Sequence, residues 1–200
     1  MPEPQVHQTE LAGVLVIDPD PIRDDRGFFV RTMDSGVLLA AGVKSTAFVQ
    51  ENQSRSGHRV LRGLHFRRQL REAKLIRCAH GRVFEAVVDL RPGSPTFLSS
   101  QTFILDDEAH RQIYVPPGCA HGFQVLSADA DICYKHDAVY APELEGEIAW
   151  DDPELAIPWP IPDPILSPRD LGAPRLQDIR DNLVEWFGAP EPSTAFAGEA

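Results

Sequence analysis

Apolar residues in this chain recur in short runs separated by turn residues, a pattern of many brief strands. Residues 14–17, 27–31, 47–51, 73–78, 82–90, 100–105, 112–115, 122–126 and 131–136 each read as one strand. No alternation of strand and long helix is visible. Together the runs predict an all-β sandwich, jelly roll or barrel. Helical spacing occurs twice. Asp34 can cap residues 35–41, which Gly42 ends. Leu176, Ile179, Leu183, Val184 and Phe187 fall on one helical face before Gly188, which predicts a C-terminal helix packed on the body. Seven prolines between 153 and 174 exclude helix and central strand and predict an extended strap. Residues 189–200 are small and polar and read as a disordered tail. At 200 residues the expectation is one domain over 1–188 plus that tail.

Charge narrows the partners. A formal net charge of -11 argues against nucleic acid or an anionic membrane surface as a general partner. The longest apolar stretch, 11–17, falls far short of the roughly 18 residues of a membrane span. The first residues lack the basic and apolar regions of a secretory signal, so the cytoplasm is the expected compartment. Cys78, Cys119 and Cys133 are too few and scattered for a disulfide framework and read as buried thiols. With His121 and His136 they lack the usual spacing of zinc ligands. Within the acidic whole, residues 55–77 hold seven arginines and Lys74 against Glu72 alone, a local +7. Two readings fit that stretch equally: a site for a small polyanion, or surface cations in a chain with 16 Arg and 3 Lys.

Standard nucleotide-loop, serine-hydrolase and zinc-protease signatures are absent, so any site must be assembled from scattered strand residues. In Val60-Leu61-Arg62-Gly63-Leu64-His65-Phe66, strict alternation would put Arg62 and His65 on opposite faces. A bulge at Gly63 would let both face one cavity. His65 is the natural candidate base, against the plainer reading of a hydrogen-bonded core histidine. Lys74 alternates with Ile76 and Cys78 and needs an anion if buried; Glu85 or Asp89 could supply it. Asp89 also suits a turn-capping role before Arg91-Pro92-Gly93. Pro116-x-Gly118-x-x-His121, within Pro116 to Phe123, resembles P-x-G-x-x-H, the second half-motif of the cupin superfamily, a group of small jelly rolls. The paired histidines of the first half-motif are missing.

A more specific resemblance emerges from ordered segments. Arg26-Gly27-Phe28-Phe29, Gln50-Glu51-Asn52, Leu61 to Phe66, Lys74-Leu75, Ser94 to Phe97, Pro117 to Phe123, Tyr134-Lys135, Trp150 to Pro153 and Leu166 to Asp170 occur in the order seen in dTDP-4-dehydrorhamnose 3,5-epimerases. The resemblance spans about residues 14–176. It implies a cupin-type jelly roll with short peripheral helices, acting as a homodimer without metal or other cofactor. The implied reaction inverts carbons flanking the C4 ketone of a nucleotide-linked 6-deoxy-4-keto hexose. By carry-over, His65 is the base, oriented by Asp170; Tyr134 is the acid, and Lys74 stabilises the enolate. Arg62, His121 and Arg169 would meet the diphosphate, while Gln50 and Asn52 would hold the nucleotide. Tyr140 would stack on thymine, and Glu145 and Arg26 would complete the site. Family members carry aspartate where Glu85 stands, which gives the expected partner of Lys74 one extra methylene.

Two departures stand out. The segment Gly27-Phe28-Phe29-Val30-Arg31 has arginine where many members have a glutamate near the base-binding site, and the stretch from His65 to Lys74 is one residue shorter than usual. Alternative readings are an epimerase acting at one carbon, a metal-dependent cupin using His65, His121 and a carboxylate such as Glu72, and a sugar-nucleotide-binding module without catalysis.

Overall fold

The computed structural model describes residues 3–43 and 47–188. The predicted tail at 189–200 lies outside them. In chain order the elements are β1 (Gln5–Gln8), β2 (Leu15–Asp18), β3 (Ile22–Asp24), β4 (Gly27–Phe29), α1 (Ser35–Ala40), β5 (Gln50–Gly57), β6 (Leu61–Arg67), β7 (Lys74–His80), β8 (Arg82–Asp89), β9 (Ser100–Asp106), β10 (Gln112–Val115), β11 (Cys119–Val125), β12 (Asp129–His136), β13 (Glu145–Glu147), α2 (Pro168–Leu171), α3 (Leu176–Ile179) and α4 (Asn182–Phe187). Two antiparallel sheets form, with strand orders β1-β2-β10-β7-β12-β5 and β13-β6-β11-β8-β9, and β3–β4 is a separate hairpin. This is the jelly roll expected.

Period-two alternation divides the apolar residues among three layers. Between the sheets lie Ile76, Cys78, Val87, Phe103, Ile113, Phe123 and Ile132. On the outer face of the first sheet Leu15, Ile17, Leu75 and Tyr114 pack beneath Leu38 of α1. Asp34 caps that helix by accepting from the Gly36 and Val37 amides. On the outer face of the second sheet Leu64, Phe66, Ala86 and Val88 are covered by Leu176, Leu183 and Phe187. Burying each of these large side chains is worth roughly 1.5–3 kcal/mol, so the C-terminal segment is tied down by its apolar face.

Several details differ from the sequence reading. The C-terminal helix is two short helices, α3 and α4, and Val184 faces solvent. Leu183 donates its amide to the Arg180 carbonyl, a tightened turn that rotates Val184 off the buried face. The proline-rich strap contains one helical turn, α2, because Pro168 occupies the first helical position, where no amide hydrogen is needed. The predicted strand at 47–51 is β5, displaced to Gln50–Gly57. It is polar throughout because this edge strand contributes to a cavity instead of the core. All three cysteines are buried and unpaired.

Candidate active site

A cavity of about 180 Å³ opens between the two sheets. One wall comes from the first sheet. In its ladder His136 stands opposite both Gln50 and Lys74, and Tyr134 stands opposite Asn52 and Ile76, so two cross-strand rows put these side chains on one face. The other wall comes from the second sheet, where His65 pairs with His121 and Arg62 with Phe123. The register slips between His121 and Phe123, which lets Arg62 and His65 line the same cavity. Gly63 makes the slip possible. It has φ +126, and a Cβ there would lie 2.5 Å from Gly122 Cα. A wider groove of about 440 Å³, lined by Leu15, Tyr114 and Pro116, has no histidine and one carboxylate, Asp137.

Asp170 enters from the strap. Ile165 forms a bridge with Val60 beside β6, and five residues later the Asp170 carboxylate accepts from His65 Nε2 at 2.6 Å, Gly63 N at 3.2 Å and Ser167 Oγ at 2.6 Å. Burial raises its pKa, but these hydrogen bonds and the charge of His65 outweigh it and bring the carboxyl down to about 2. An ionised carboxylate fixes the hydrogen on Nε2 of His65. The other ring nitrogen, Nδ1, then keeps its lone pair, so this histidine is arranged to accept a proton.

Tyr134 lies in the opposite wall, ringed by His121, Phe123 and His136 and hydrogen-bonded to Ser54 Oγ at 3.2 Å. Burial pushes its hydroxyl well above the ordinary phenol range, so it stays protonated and can donate. Lys74 is buried in the same wall. Its ion partner is Glu72, at 3.4 Å, not Glu85 or Asp89. Glu85 bonds instead to His121 Nδ1 at 2.8 Å. The extra methylene of Glu85 therefore bears on His121, not on Lys74. Burial pushes the Glu85 carboxyl up and the His121 imidazole down, so both are driven toward their neutral forms. In such a neutral pair Glu85 donates to Nδ1, and Nε2–H of His121 is free to donate. Asp89 is a turn cap, accepting from Arg91, Ser94 and Thr96.

Of the residues singled out from sequence, Gln50, Asn52, Arg62, His65, Lys74, His121, Tyr134, Tyr140 and Glu145 line the cavity, while Asp170 and Glu85 stand directly behind His65 and His121. Two do not reach the wall. Arg26 sits exposed at the β3–β4 turn against Asp24, and Arg169 is held at the rim by Glu147 and, at 3.9 Å, Glu145. Arg31, the departure at the end of the Gly-Phe-Phe segment, pairs with Asp34 beside α1 and does not touch the cavity. His136 and Phe123 line it without having been assigned a place there, and Glu72, named only for the metal-dependent alternative, lines it beside Lys74. Parity was the available signal: Glu72 shares a face with Lys74, and His136 with Tyr134.

Most of the cationic stretch is accounted for locally. Arg55 binds Asp131, Arg59 the Asp163 carbonyl, Arg67 the Val139 carbonyl and Arg68 the Glu143 carbonyl. Arg62 bonds Ser56 and faces the cavity with Lys74. Among the described residues no three His, Cys, Asp or Glu side chains are grouped so as to hold a metal ion, and no helix is long and apolar enough to cross a membrane.

Comparison with known proteins agrees with this geometry. Residues 8–178 match the family model described as dTDP-4-dehydrorhamnose 3,5-epimerase. The enzyme of that name from Pseudomonas aeruginosa is 45% identical over 161 residues, covering 80% of this chain and 89% of its own. The structure of dTDP-6-deoxy-D-glucose-3,5-epimerase from Legionella pneumophila, solved with dTDP-4-keto-L-rhamnose, superposes with a TM-score of 0.85 at 39% identity, covering 96% of this chain and 100% of that one. NovW from Streptomyces spheroides, a 4-keto-6-deoxy sugar epimerase of the novobiocin cluster, gives 0.88 at 35% identity and 94% coverage of each chain. The chain therefore belongs to the dTDP-4-dehydrorhamnose 3,5-epimerase family.

Proposed function

We propose that this protein is an isomerase that converts dTDP-4-dehydro-6-deoxy-D-glucose to dTDP-4-dehydro-L-rhamnose by inverting C3 and C5. One observation carries the reading: a carboxylate-held histidine, His65, and a protonated tyrosine, Tyr134, line one cavity from opposite sheets. Inversion next to a ketone needs this arrangement, with a base on one side of the carbon and an acid on the other.

His65 Nδ1 removes the proton beside the C4 ketone, and the C–H electrons pass into a C=C bond and onto the carbonyl oxygen. The Lys74 ammonium stabilises the enolate oxygen, a role typically worth roughly 3 kcal/mol. As the carbonyl re-forms, Tyr134 O–H delivers a proton to the opposite face of the carbon, and solvent restores both groups. Arg62 and the His121 Nε2–H bind diphosphate oxygens, Gln50 and Asn52 hold the nucleotide, and Tyr140 stacks on the base. Arg169 reaches the diphosphate by exchanging its glutamate partners for the ligand. The protein acts as a homodimer. Exposed Phe28, Phe29 and Ile22 on the β3–β4 hairpin support this, as does Arg26, which is exposed and does not line the cavity of its own chain. Incubation with dTDP-4-dehydro-6-deoxy-D-glucose, followed by NMR of the sugar, tests the activity. Formation of the L-rhamno isomer supports it, formation of a product inverted at one carbon limits the protein to mono-epimerisation, and unchanged substrate refutes it.

A further inference from the structure

Glu72 and His136 form a second carboxylate–histidine pair in the cavity wall; the roles above use Glu72 only as the ion partner of Lys74 and give His136 none. Glu72 is 8% exposed. Its Oε1 lies 3.2 Å from His136 Nδ1 and 3.6 Å from an Arg67 guanidinium nitrogen, and its Oε2 lies 3.4 Å from Lys74 Nζ. Burial raises the Glu72 carboxyl, yet His136, Lys74 and Arg67 bring it down to about 2. The carboxylate is therefore an acceptor only, and Nδ1 of His136 must carry the hydrogen. In the neutral imidazole the second ring nitrogen, Nε2, then holds the lone pair. Its nearest partner is Asn52 Nδ2 at 3.5 Å, the outer limit of a hydrogen bond.

We propose that His136 Nε2 accepts a hydrogen bond from a hydroxyl of the substrate's sugar, and that Glu72 is the positioning residue that fixes the tautomer and aim of that imidazole. The placement puts His136 at the junction of the two halves of the site, with Gln50 opposite it and Asn52 beside it on the nucleotide side and Lys74 and Tyr134 on the sugar side. His136 stands opposite Lys74 in the β7–β12 ladder, and its ring lies 6.3 Å from that of Tyr134, the two groups assigned to the reacting carbons. The chemistry selects a hydroxyl. Diphosphate oxygens offer no hydrogen to an acceptor and would be repelled by Glu72, whereas a sugar hydroxyl donates. This inference rests on the epimerase reading for the identity of the sugar.

The test pairs steady-state kinetics on dTDP-4-dehydro-6-deoxy-D-glucose with calorimetry on dTDP alone, for His136→Ala, Glu72→Gln and the double variant; His136→Asn replaces the alanine variant should that not fold. Loss of one hydrogen bond predicts that KM rises about tenfold in each single variant while the Kd for dTDP stays within about twofold. Because Glu72 acts through His136, the double variant should show no higher KM than His136→Ala. An unchanged KM in folded protein overturns the proposal, as does a dTDP Kd that rises in step with KM, or KM effects of the two substitutions that add. If the unaltered protein gives no turnover, the epimerase reading fails by itself. Calorimetry with the sugar nucleotide against dTDP then still decides whether His136 senses the sugar.

Discussion

Replacing Asp170 with asparagine isolates the electrostatic part of the His65–Asp170 pair. The carboxyl is displaced from 3.8 to about 2 despite burial that opposes the shift. At about 1.4 kcal/mol per unit, its surroundings favour the ionised form by about 2 kcal/mol. Asparagine retains an oxygen that can accept from His65 Nε2–H and from Gly63 N, so the pocket geometry survives. It removes the charge that stabilises the imidazolium formed when His65 takes a proton. A hydrogen bond to a charged group is worth about 1.5–3 kcal/mol, so Asp170→Asn is expected to lower kcat by about 10- to 150-fold. KM should change little, because Asp170 stands behind His65 and does not line the cavity. Initial rates across substrate concentration, together with a thermal melt to show that the fold is intact, provide the measurement. A folded variant with kcat within a factor of about three of the parent, or with its whole loss in KM, would refute the reasoning.

Three further outcomes follow from the same geometry. Tyr134→Phe removes the only hydroxyl of that side chain and should lower turnover by about 10²-fold or more while leaving dTDP binding, read by calorimetry, close to that of the parent; equal turnover would remove Tyr134 from the reaction. Gly63→Ala places a methyl 2.5 Å from Gly122 Cα and 2.9 Å from the His121 carbonyl at φ +126, and should cost about 2–4 kcal/mol, seen as a fall in Tm of roughly 5–15 °C. Glu72 and Asp170 have folded pKa values of about 2, below their ordinary 4.5 and 3.8. Groups depressed in this way contribute stability that is present above the unfolded pKa and lost as pH falls toward the folded one. Urea unfolding should therefore show stability declining between about pH 4.5 and 2, by about 2–3 kcal/mol for each group, and a flat profile over that window would contradict the assigned ion pairs.

The strands that bury a face were legible in the sequence because period-two alternation is strong wherever one side meets the core. Lys74–His80, Arg82–Asp89 and Gln112–Val115 were anticipated within two residues. Strands that lack such a face were not. Gln50–Gly57 has no apolar run, and Glu145–Glu147 is only three residues long. Arg62 and His65 were placed in one cavity by a single local argument, the glycine between them, and the ladder bears that out. Asp170 was different. Nothing near it in sequence distinguishes it from a loop acid, and only the crossing of the strap past Val60 brings it to His65. The pairing of Lys74 was misread for the opposite reason: its partner, Glu72, is a near neighbour in the chain, two residues before it on the same face, while Glu85 on β8 meets His121 on β11.

The central claim is that a proton leaves and returns at each carbon flanking the ketone, with His65 as base. Running the reaction in D₂O and reading the product by mass spectrometry and NMR tests it directly. The account predicts two carbon-bound deuterons, one at C3 and one at C5, for the unaltered protein and none at comparable times for His65→Asn. Label at a single carbon, or full label in the His65 variant, would contradict it.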